Sequence, residues 1–234
     1  MRTLLAACAA SAAAAQISVV ESGSSGAQWA PRPSLSWSAP FDGTGITLDT
    51  GAPRQSIIGW GSCFTDTSAY NAMVYMRAPV RDQLLEAVWG ETGLRANTHR
   101  MHINSPDYAV HSYNLDNVTD DFSLAHFDGA MAYDSQRVLP LIRLAMARAA
   151  AWGGPPLRLF GSPWSPPGWM KTNNNMINSD AVCLKNDTAA GDSYKKVWAN
   201  YIVRWVAAVE AHLNTSLWAI TPVRELFLRL RAVS

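Results

Sequence analysis

Hydrophobic and polar positions follow two alternating patterns along the chain from residue 55 onward. Short apolar runs at 55–61, 95–103, 157–160 and 217–221 predict β-strands. Between them lie longer stretches in which apolar residues recur every three or four positions, as on one face of a helix. Strands that alternate with helices are typical of βαβ units, so the pattern predicts an α/β fold with a parallel sheet.

Three helices are predicted from these longer stretches. The first covers 79–89, because proline suits the first turn of a helix. The second opens at Pro140, and its apolar stripe consists of Leu141, Ile142, Ala145, Met146 and Ala149. Asp192 and Ser193 are candidate caps for the third, whose stripe consists of Tyr194, Trp198, Tyr201, Trp205, Val209 and Leu213.

Long polar segments follow three of the predicted strands, at 62–78, 104–137 and 161–192, whereas the helices feed the next strand through short connections. Long loops at one end of the strands are typical of a (β/α)8 TIM barrel, whose active site lies at the carboxyl ends of its strands. A doubly wound sheet would place its site at the same edge, but neither a G-x-G-x-x-G nor a Walker sequence occurs. With four predicted strands, the expectation is a TIM barrel truncated to about its first four βα units.

The N-terminus has the pattern of a secretory signal. Residues 1–15 begin with Arg2, continue with an apolar stretch over 4–10 and end in small residues at 13–15. A disordered alanine-rich leader and a transit peptide are the alternatives. Three N-glycosylation sequons agree with secretion; they begin at Asn117, Asn186 and Asn214.

The remaining chain divides into three parts. Residues 16–53 are expected to form a short N-terminal β segment or a linker, with strands at 17–20 and 46–48. Residues 54–221 are expected to form the partial TIM barrel, and 222–234 a tail outside it.

Composition narrows the classes of function. The net charge of +1 argues against nucleic acid as a partner. The 10 tryptophans suit either an aromatic core or a sugar site, because an indole face packs against the apolar face of a pyranose. His99 and His102 fall on opposite faces of a strand, so no metal site is expected, and no cofactor is expected either. Cys63 and Cys183 either pair or remain free thiols, and we favour free thiols.

Five segments in chain order carry a family resemblance: IGWGSCFTD at 58–66, HRMHINSPDY at 99–108, DFSLAHF at 121–127, SPWSPPGWMKTN at 162–173 and WAIT at 218–221. They resemble the G-F-G-G-x-x-T-D, R-x-P-I-N-S-C-D-F, D-F-S-L-x-x-F, S-P-W-S-P-P-x-W-M-K-T-N and W-A-I-T segments of glycoside hydrolase family 30, the acid glucosylceramidase family. The fourth segment is nearly identical to the family's.

The resemblance implies a retaining β-glucosidase that acts on glucosylceramide in sphingolipid catabolism. It implies that Asp107 accepts hydrogen bonds from sugar hydroxyls, unless it only caps its loop, and that Trp164 walls the sugar subsite, unless it only packs in the core. Arg100 either orients a catalytic carboxylate through a bidentate pair or forms a buried structural pair. Trp169 either contributes to the subsite or packs beneath the loop. The resemblance implies a β-glucoside or glycosphingolipid substrate. A glycosphingolipid would bring the protein into peripheral contact with a membrane.

Two carboxyl groups about 5–5.5 Å apart are needed by a retaining glycosidase. In glycoside hydrolase family 30 the acid/base residue is the Glu of an N-E-P segment shortly after W-A-I-T. Glu225 stands at that spacing here, but Arg224 replaces the Asn and Leu226 replaces the Pro. A counterpart of the nucleophile is absent from the chain. We therefore expect this chain to be inactive, and the alternative is a secreted, non-catalytic fragment that binds carbohydrate or a partner chain.

Overall fold

A computed structural model describes residues 16–24, 26, 28–36, 51–52, 54–178 and 183–221. The chain divides into two compact units, Met1–Ser56 and Ile57–Ser234. In the first unit, β1 (Gln16–Glu21) pairs antiparallel with β2 (Ala30–Ser36). The strand predicted at 17–20 lies within β1, whereas the strand predicted at 46–48 and the signal at 1–15 lie outside the described residues.

The second unit contains a parallel sheet. Its strands are β3 (Cys63–Phe64), β4 (Thr98–Ile103), β5 (Arg158–Pro163) and β6 (Ala219–Ile220), and they stand in that order. All three pairings are parallel, and the register sets Arg100 opposite Cys63 on one side and Phe160 on the other. The predicted α/β class and parallel sheet are therefore confirmed.

The three predicted helices lie between the strands in the expected order, and the structure adds one short helix and three short turns that were not predicted. In chain order, these helices and turns are α1 (Asp66–Tyr70), a π-helical turn (Asn71–Tyr75), α2 (Ala78–Trp89), a 3-10 turn (Asp134–Gln136), α3 (Val138–Ala151), a second 3-10 turn (Gly168–Met170) and α4 (Tyr194–Leu213). Helix α3 begins two residues before Pro140, since proline is tolerated anywhere in the first turn, where no intrahelical N–H bond is lost. No helix within the described ranges is long and apolar enough to cross a bilayer.

The first barrel strand differs from its prediction. Residues 55–61 contain no strand, and β3 begins only at Cys63. The run approaches β4 so closely that a Cβ on Gly61 would stand 1.9 Å from the carbonyl oxygen of Thr98. The carbonyl of Trp60 accepts from the amides of both Asn97 and Thr98, at 2.9 and 3.2 Å, so the run approaches β4 without a regular ladder.

The core lies between one face of the sheet and the helices. Met101, Ile103 and Leu159 are almost fully buried on this outer face, because side chains alternate along each strand. All the predicted stripe residues of α4 are buried here, and so are those of α3 except the partly buried Met146. Gly161 permits the contact with α4, since a Cβ there would stand 2.6 Å from the ring of Trp205.

Candidate active site

An open cleft lies against the inner face of the sheet, opposite the helices. Its volume is about 460 Å³, and its lining includes Trp60, Cys63, Arg100, Phe160, Ser162 and Thr221. The hydroxyl oxygens of Ser162 and Thr221 lie 2.6 Å apart, so one donates to the other across neighbouring strands. The cleft combines an aromatic surface, hydroxyl groups and one guanidinium, which together suit a ligand with both apolar and hydroxyl faces.

Arg100 and Trp164 meet beside this cleft. The guanidinium carbon of Arg100 lies 4.5 Å from the centre of the Trp164 ring. Arg100 comes from β4, and Trp164 directly follows β5, so the parallel register brings them together at the carboxyl end of the sheet. A guanidinium over an indole face is a favourable electrostatic contact, strengthened when it is partly desolvated. Trp164 is only 7% exposed, whereas Arg100 lines the cleft.

Polar contacts hold the loop that carries Trp164. The backbone N–H of Trp164 donates to the carbonyl of Ile103 at 3.4 Å, and the Asn104 amide donates to the carbonyl of Ser165 at 2.9 Å. The ammonium of Lys171, which is fully buried, donates to the Ser165 hydroxyl at 3.2 Å. A buried cation is costly unless its protons are satisfied, and Lys171 also donates to the carbonyls of Met176 and Asn178, at 3.0 and 2.5 Å.

Asp107 lies in the segment after β4, with an exposed side chain. Its neighbours along the chain are anchored to the end of β3. The carbonyl of Tyr108 accepts from Thr67 N–H at 3.0 Å, and the N–H of Val110 donates to the Asp66 carboxylate at 2.9 Å. The segment around Asp107 is thereby held in a fixed conformation while its carboxylate remains accessible.

The Asp66 carboxylate is fully buried and joins several elements. It accepts from the Tyr133 hydroxyl at 3.0 Å, and the Arg137 guanidinium lies 3.8 Å from its other oxygen. Burial, followed by the hydrogen bond to Asp66, raises the pKa of Tyr133 to about 12. Tyr133 therefore remains a neutral hydrogen-bond donor. Through Val110 and Tyr133, Asp66 is hydrogen-bonded to both the early and the late part of the long segment after β4.

A second buried cluster lies beside the first. Tyr113 donates to the Asp134 carboxylate at 2.5 Å, and its hydroxyl lies 3.3 Å from Nδ1 of His102. Nδ1 of His102 is also 3.0 Å from the carbonyl of Asn104, which only accepts, so we assign the proton to Nδ1. Burial lowers the pKa of His102 and raises the pKa values of Asp134 and Tyr113, because each charged form is poorly solvated there.

Trp169 and Trp164 both follow β5, but they contact different residues. Trp169 is 7% exposed and belongs to the hydrophobic core. Its indole N–H donates to the carbonyl of Asp116 at 3.0 Å, and its ring meets Phe122 edge to face, with centroids 6.1 Å apart. This position favours the packing alternative, because Trp169 is hydrogen-bonded to the segment after β4 and packs against it.

The other predicted residues are distributed over the unit. His99 accepts from the Trp89 indole N–H at 2.9 Å on the outer face. Within the described ranges, no group of three or more His, Cys, Asp or Glu side chains is arranged to hold a metal ion. Cys63 is a free thiol and is not bonded to Cys183. The sequon residues Asn117, Asn186 and Asn214 are exposed. Glu225 lies outside the described residues.

Residues 57–227 match the family model described as the glycosyl hydrolase family 30 TIM-barrel domain. The chain belongs to glycosyl hydrolase family 30. The fold prediction is thereby confirmed, with the described sheet forming part of the family's barrel. The stack of Arg100 on Trp164 stands at the strand end where a TIM barrel places its active site.

The relatives of this chain are named for more than one kind of glycoside. The lysosomal acid glucosylceramidase of Mus musculus is 30% identical over 185 residues, which are 78% of this chain and 34% of that protein. An endo-1,6-beta-D-glucanase of Trichoderma harzianum is 30% identical over 204 residues, which are 82% of this chain and 37% of that protein. The chain spans about a third of the length of these curated relatives.

A solved structure supports the fold. The crystal structure of SrfJ from Salmonella typhimurium superposes with a TM-score of 0.65 at 24% sequence identity, over 90% of this chain and 43% of that chain. The family resemblance in the sequence is therefore matched by the course of the backbone.

Sequence reasoning missed the polar groups that support this family 30 site. Asn104, Tyr113, Asp134 and Lys171 are all buried, and the side chain of each is hydrogen-bonded to a residue between 5 and 97 positions away in the sequence. The available signal was a polar residue at the end of an apolar strand, as with Asn104. Their partners could not be read from spacing, because they lie on different elements.

Proposed function

We propose that this protein is a retaining β-glycosidase whose sugar-binding groups stand at the carboxyl ends of β4 and β5. The observation that carries the proposal is the stack of Arg100 on Trp164 beside an open cleft of about 460 Å³. Family 30 membership supports a glycoside as the substrate. In this proposal Trp164 walls the subsite, Asp107 accepts from sugar hydroxyls and Arg100 orients a catalytic carboxylate.

Glucosylceramide is the substrate that we propose first. The support is the mouse lysosomal acid glucosylceramidase, which is 30% identical to 78% of this chain. A β-1,6-glucan is the second candidate, supported by the Trichoderma glucanase at the same identity over 82% of the chain. Competition between the two soluble probes octyl β-D-glucoside and gentiotriose separates them. Preferential binding of the octyl glucoside supports a lipid aglycone, whereas preferential binding of gentiotriose supports the glucan.

Glu225 is the proposed acid/base residue. A fluorogenic 4-methylumbelliferyl β-D-glucoside at pH 5 tests it in the 234-residue chain. We expect no turnover from this chain, so turnover that disappears in Glu225→Gln and persists in the exposed control Glu91→Gln would support the assignment and overturn the expected inactivity. Saturable sugar binding without turnover supports the non-catalytic binding alternative. If neither turnover nor sugar binding occurs, the proposed function is wrong.

The proposed compartment is the secretory pathway, ending outside the cell or in a lysosome-like organelle. Support comes from the exposure of Asn117, Asn186 and Asn214 and from the lysosomal relative. A glycosphingolipid substrate would place the protein at a membrane surface through the substrate itself. Expression in a secreting eukaryotic cell, followed by removal of N-linked glycans, should increase gel mobility. Unchanged mobility would contradict glycosylation at these sites.

A further inference from the structure

Asn104 occupies an unusual position at the end of β4. Its side chain is 2% exposed, and its backbone has φ of +62°. Apart from glycine, asparagine is one of the few residues that adopt this left-handed conformation readily. A buried side chain on such a backbone persists only where the surrounding contacts determine both.

The Asn104 amide is bonded on both sides. Its Nδ2 donates to the carbonyl of Ser165 at 2.9 Å, and its Oδ1 accepts from the Tyr201 hydroxyl at 2.5 Å. Ser165 directly follows Trp164, whose own N–H donates to Ile103, the residue before Asn104. Ile103 and Asn104, at the end of β4, are thus hydrogen-bonded to two consecutive residues of the loop after β5, Trp164 and Ser165.

The same asparagine is also joined to the segment that carries Asp107. The Tyr201 hydroxyl that donates to Asn104 accepts from the N–H of Leu115 at 2.7 Å. The next residue, Ser105, donates its N–H to the carbonyl of Tyr113 at 3.0 Å. Asn104 therefore stands where the loop after β5 and the segment after β4 are fastened to each other and to helix α4.

We propose that Asn104 is a positioning residue for the sugar site, holding Trp164 and the segment around Asp107 in one arrangement. The inference rests on the proposed function, which assigns those two residues to the sugar. Asparagine meets three requirements at once: a donor for Ser165, an acceptor for Tyr201 and a tolerated left-handed backbone. Aspartate lacks the donor, and glycine retains only the backbone.

The test uses the 234-residue chain labelled with 5-fluorotryptophan. The variants are Asn104→Gly and Tyr201→Phe, and the matched control is Asn214→Gly, because Asn214 is exposed and has φ of +49°. The first readout is the ¹⁹F resonance of Trp164, assigned through Trp164→Phe. The second is the affinity for 4-nitrophenyl β-D-thioglucoside, measured by isothermal titration calorimetry.

Asn104→Gly should shift the Trp164 resonance and weaken thioglucoside binding about tenfold, because the site is no longer held in its binding arrangement before the ligand arrives. Tyr201→Phe should act in the same direction, and Asn214→Gly should change neither readout. A folded variant with an unmoved Trp164 resonance or an unchanged affinity overturns the proposal. If Asn104→Gly does not fold, Tyr201→Phe decides by the same criteria.

The two readouts separate the positioning role from the proposed function. If the unsubstituted chain fails to bind the thioglucoside, the proposed function is wrong. The Trp164 resonance then decides the positioning role by itself. A shifted resonance and a weakened affinity in Asn104→Gly, together with normal binding in Asn214→Gly, support both.

Discussion

The guanidinium carbon of Arg100 lies 4.5 Å from the centre of the Trp164 ring. Arg100 belongs to β4, and Trp164 follows β5, so the pair forms only when the two strands are parallel and in register. The stack joins a cation that lines the cleft to a buried aromatic ring.

Replacing Arg100 by methionine should weaken binding of a β-glucoside. The substitution removes the cation from the cleft lining and also removes a cation–π contact of about 1–2 kcal/mol that helps to hold the Trp164 ring, so the affinity should fall. Arg95→Met is the matched control, because Arg95 lies 5.1 Å from the Trp152 ring but outside the cleft lining. Calorimetric titration with the thioglucoside checks both variants. Equal affinities in the two variants would remove Arg100 from the site.

Trp169→Phe should reduce stability without weakening sugar binding. The substitution leaves the buried carbonyl of Asp116 without its indole donor, which costs about 1–3 kcal/mol of unfolding free energy. Urea unfolding followed by far-UV circular dichroism measures the loss. The converse result, weaker thioglucoside binding in a chain of unchanged stability, would place Trp169 in the subsite instead.

Tyr113→Phe should be more destabilising than Tyr194→Phe. Both hydroxyls donate to a carboxylate, at 2.5 Å to Asp134 and at 2.8 Å to Asp120. Asp134 is 4% exposed, so the loss of its hydroxyl donor lowers the unfolding free energy by about 1–3 kcal/mol. Asp120 is exposed to water, which can replace the Tyr194 hydroxyl, so the loss of that donor costs less. Parallel urea titrations of the two variants compare the losses, and equal losses would show that burial of Asp134 is not the deciding factor.

His99 should make the fold less stable as the pH falls below neutrality. Burial lowers its pKa from the ordinary value of 6.5, so the unfolded chain takes up a proton before the folded chain does. The stability is complete above pH 6.5 and declines by about 1.4 kcal/mol per pH unit until the folded pKa is reached. Protonation would also oppose the bond that Trp89 donates to Nε2 of His99.

Unfolding by urea at pH 7.5 and pH 5.0 tests this dependence. His99→Gln retains a polar side chain without the titration, and its stability should change less between the two pH values. His126→Gln is a suitable control, because His126 lies on an exposed turn beside Asp121. An identical pH dependence in the unsubstituted chain and in His99→Gln would show that His99 does not titrate in this way.

The helices of this protein could be read from the sequence because their stripes are local. Trp198, Trp205 and Leu213 recur on one face of α4, and all are buried as predicted. The cap at Ser193 was also readable, and its hydroxyl accepts from Lys196 N–H at 3.3 Å. The strand ends were harder to locate, as β3 shows, since a ladder depends on a neighbour far away in the sequence.

The sequence by itself determined the α/β order, the helix faces and the family, since periodicity and contiguous motifs are properties of neighbouring residues. It also named Arg100 and Trp164 as candidates. Only the tertiary structure decided that these two stack, that Trp169 packs in the core and that Asn104 joins two loops. Those contacts join β4, the loop after β5 and α4 across up to 97 residues, so they exist only once the strands pair in register.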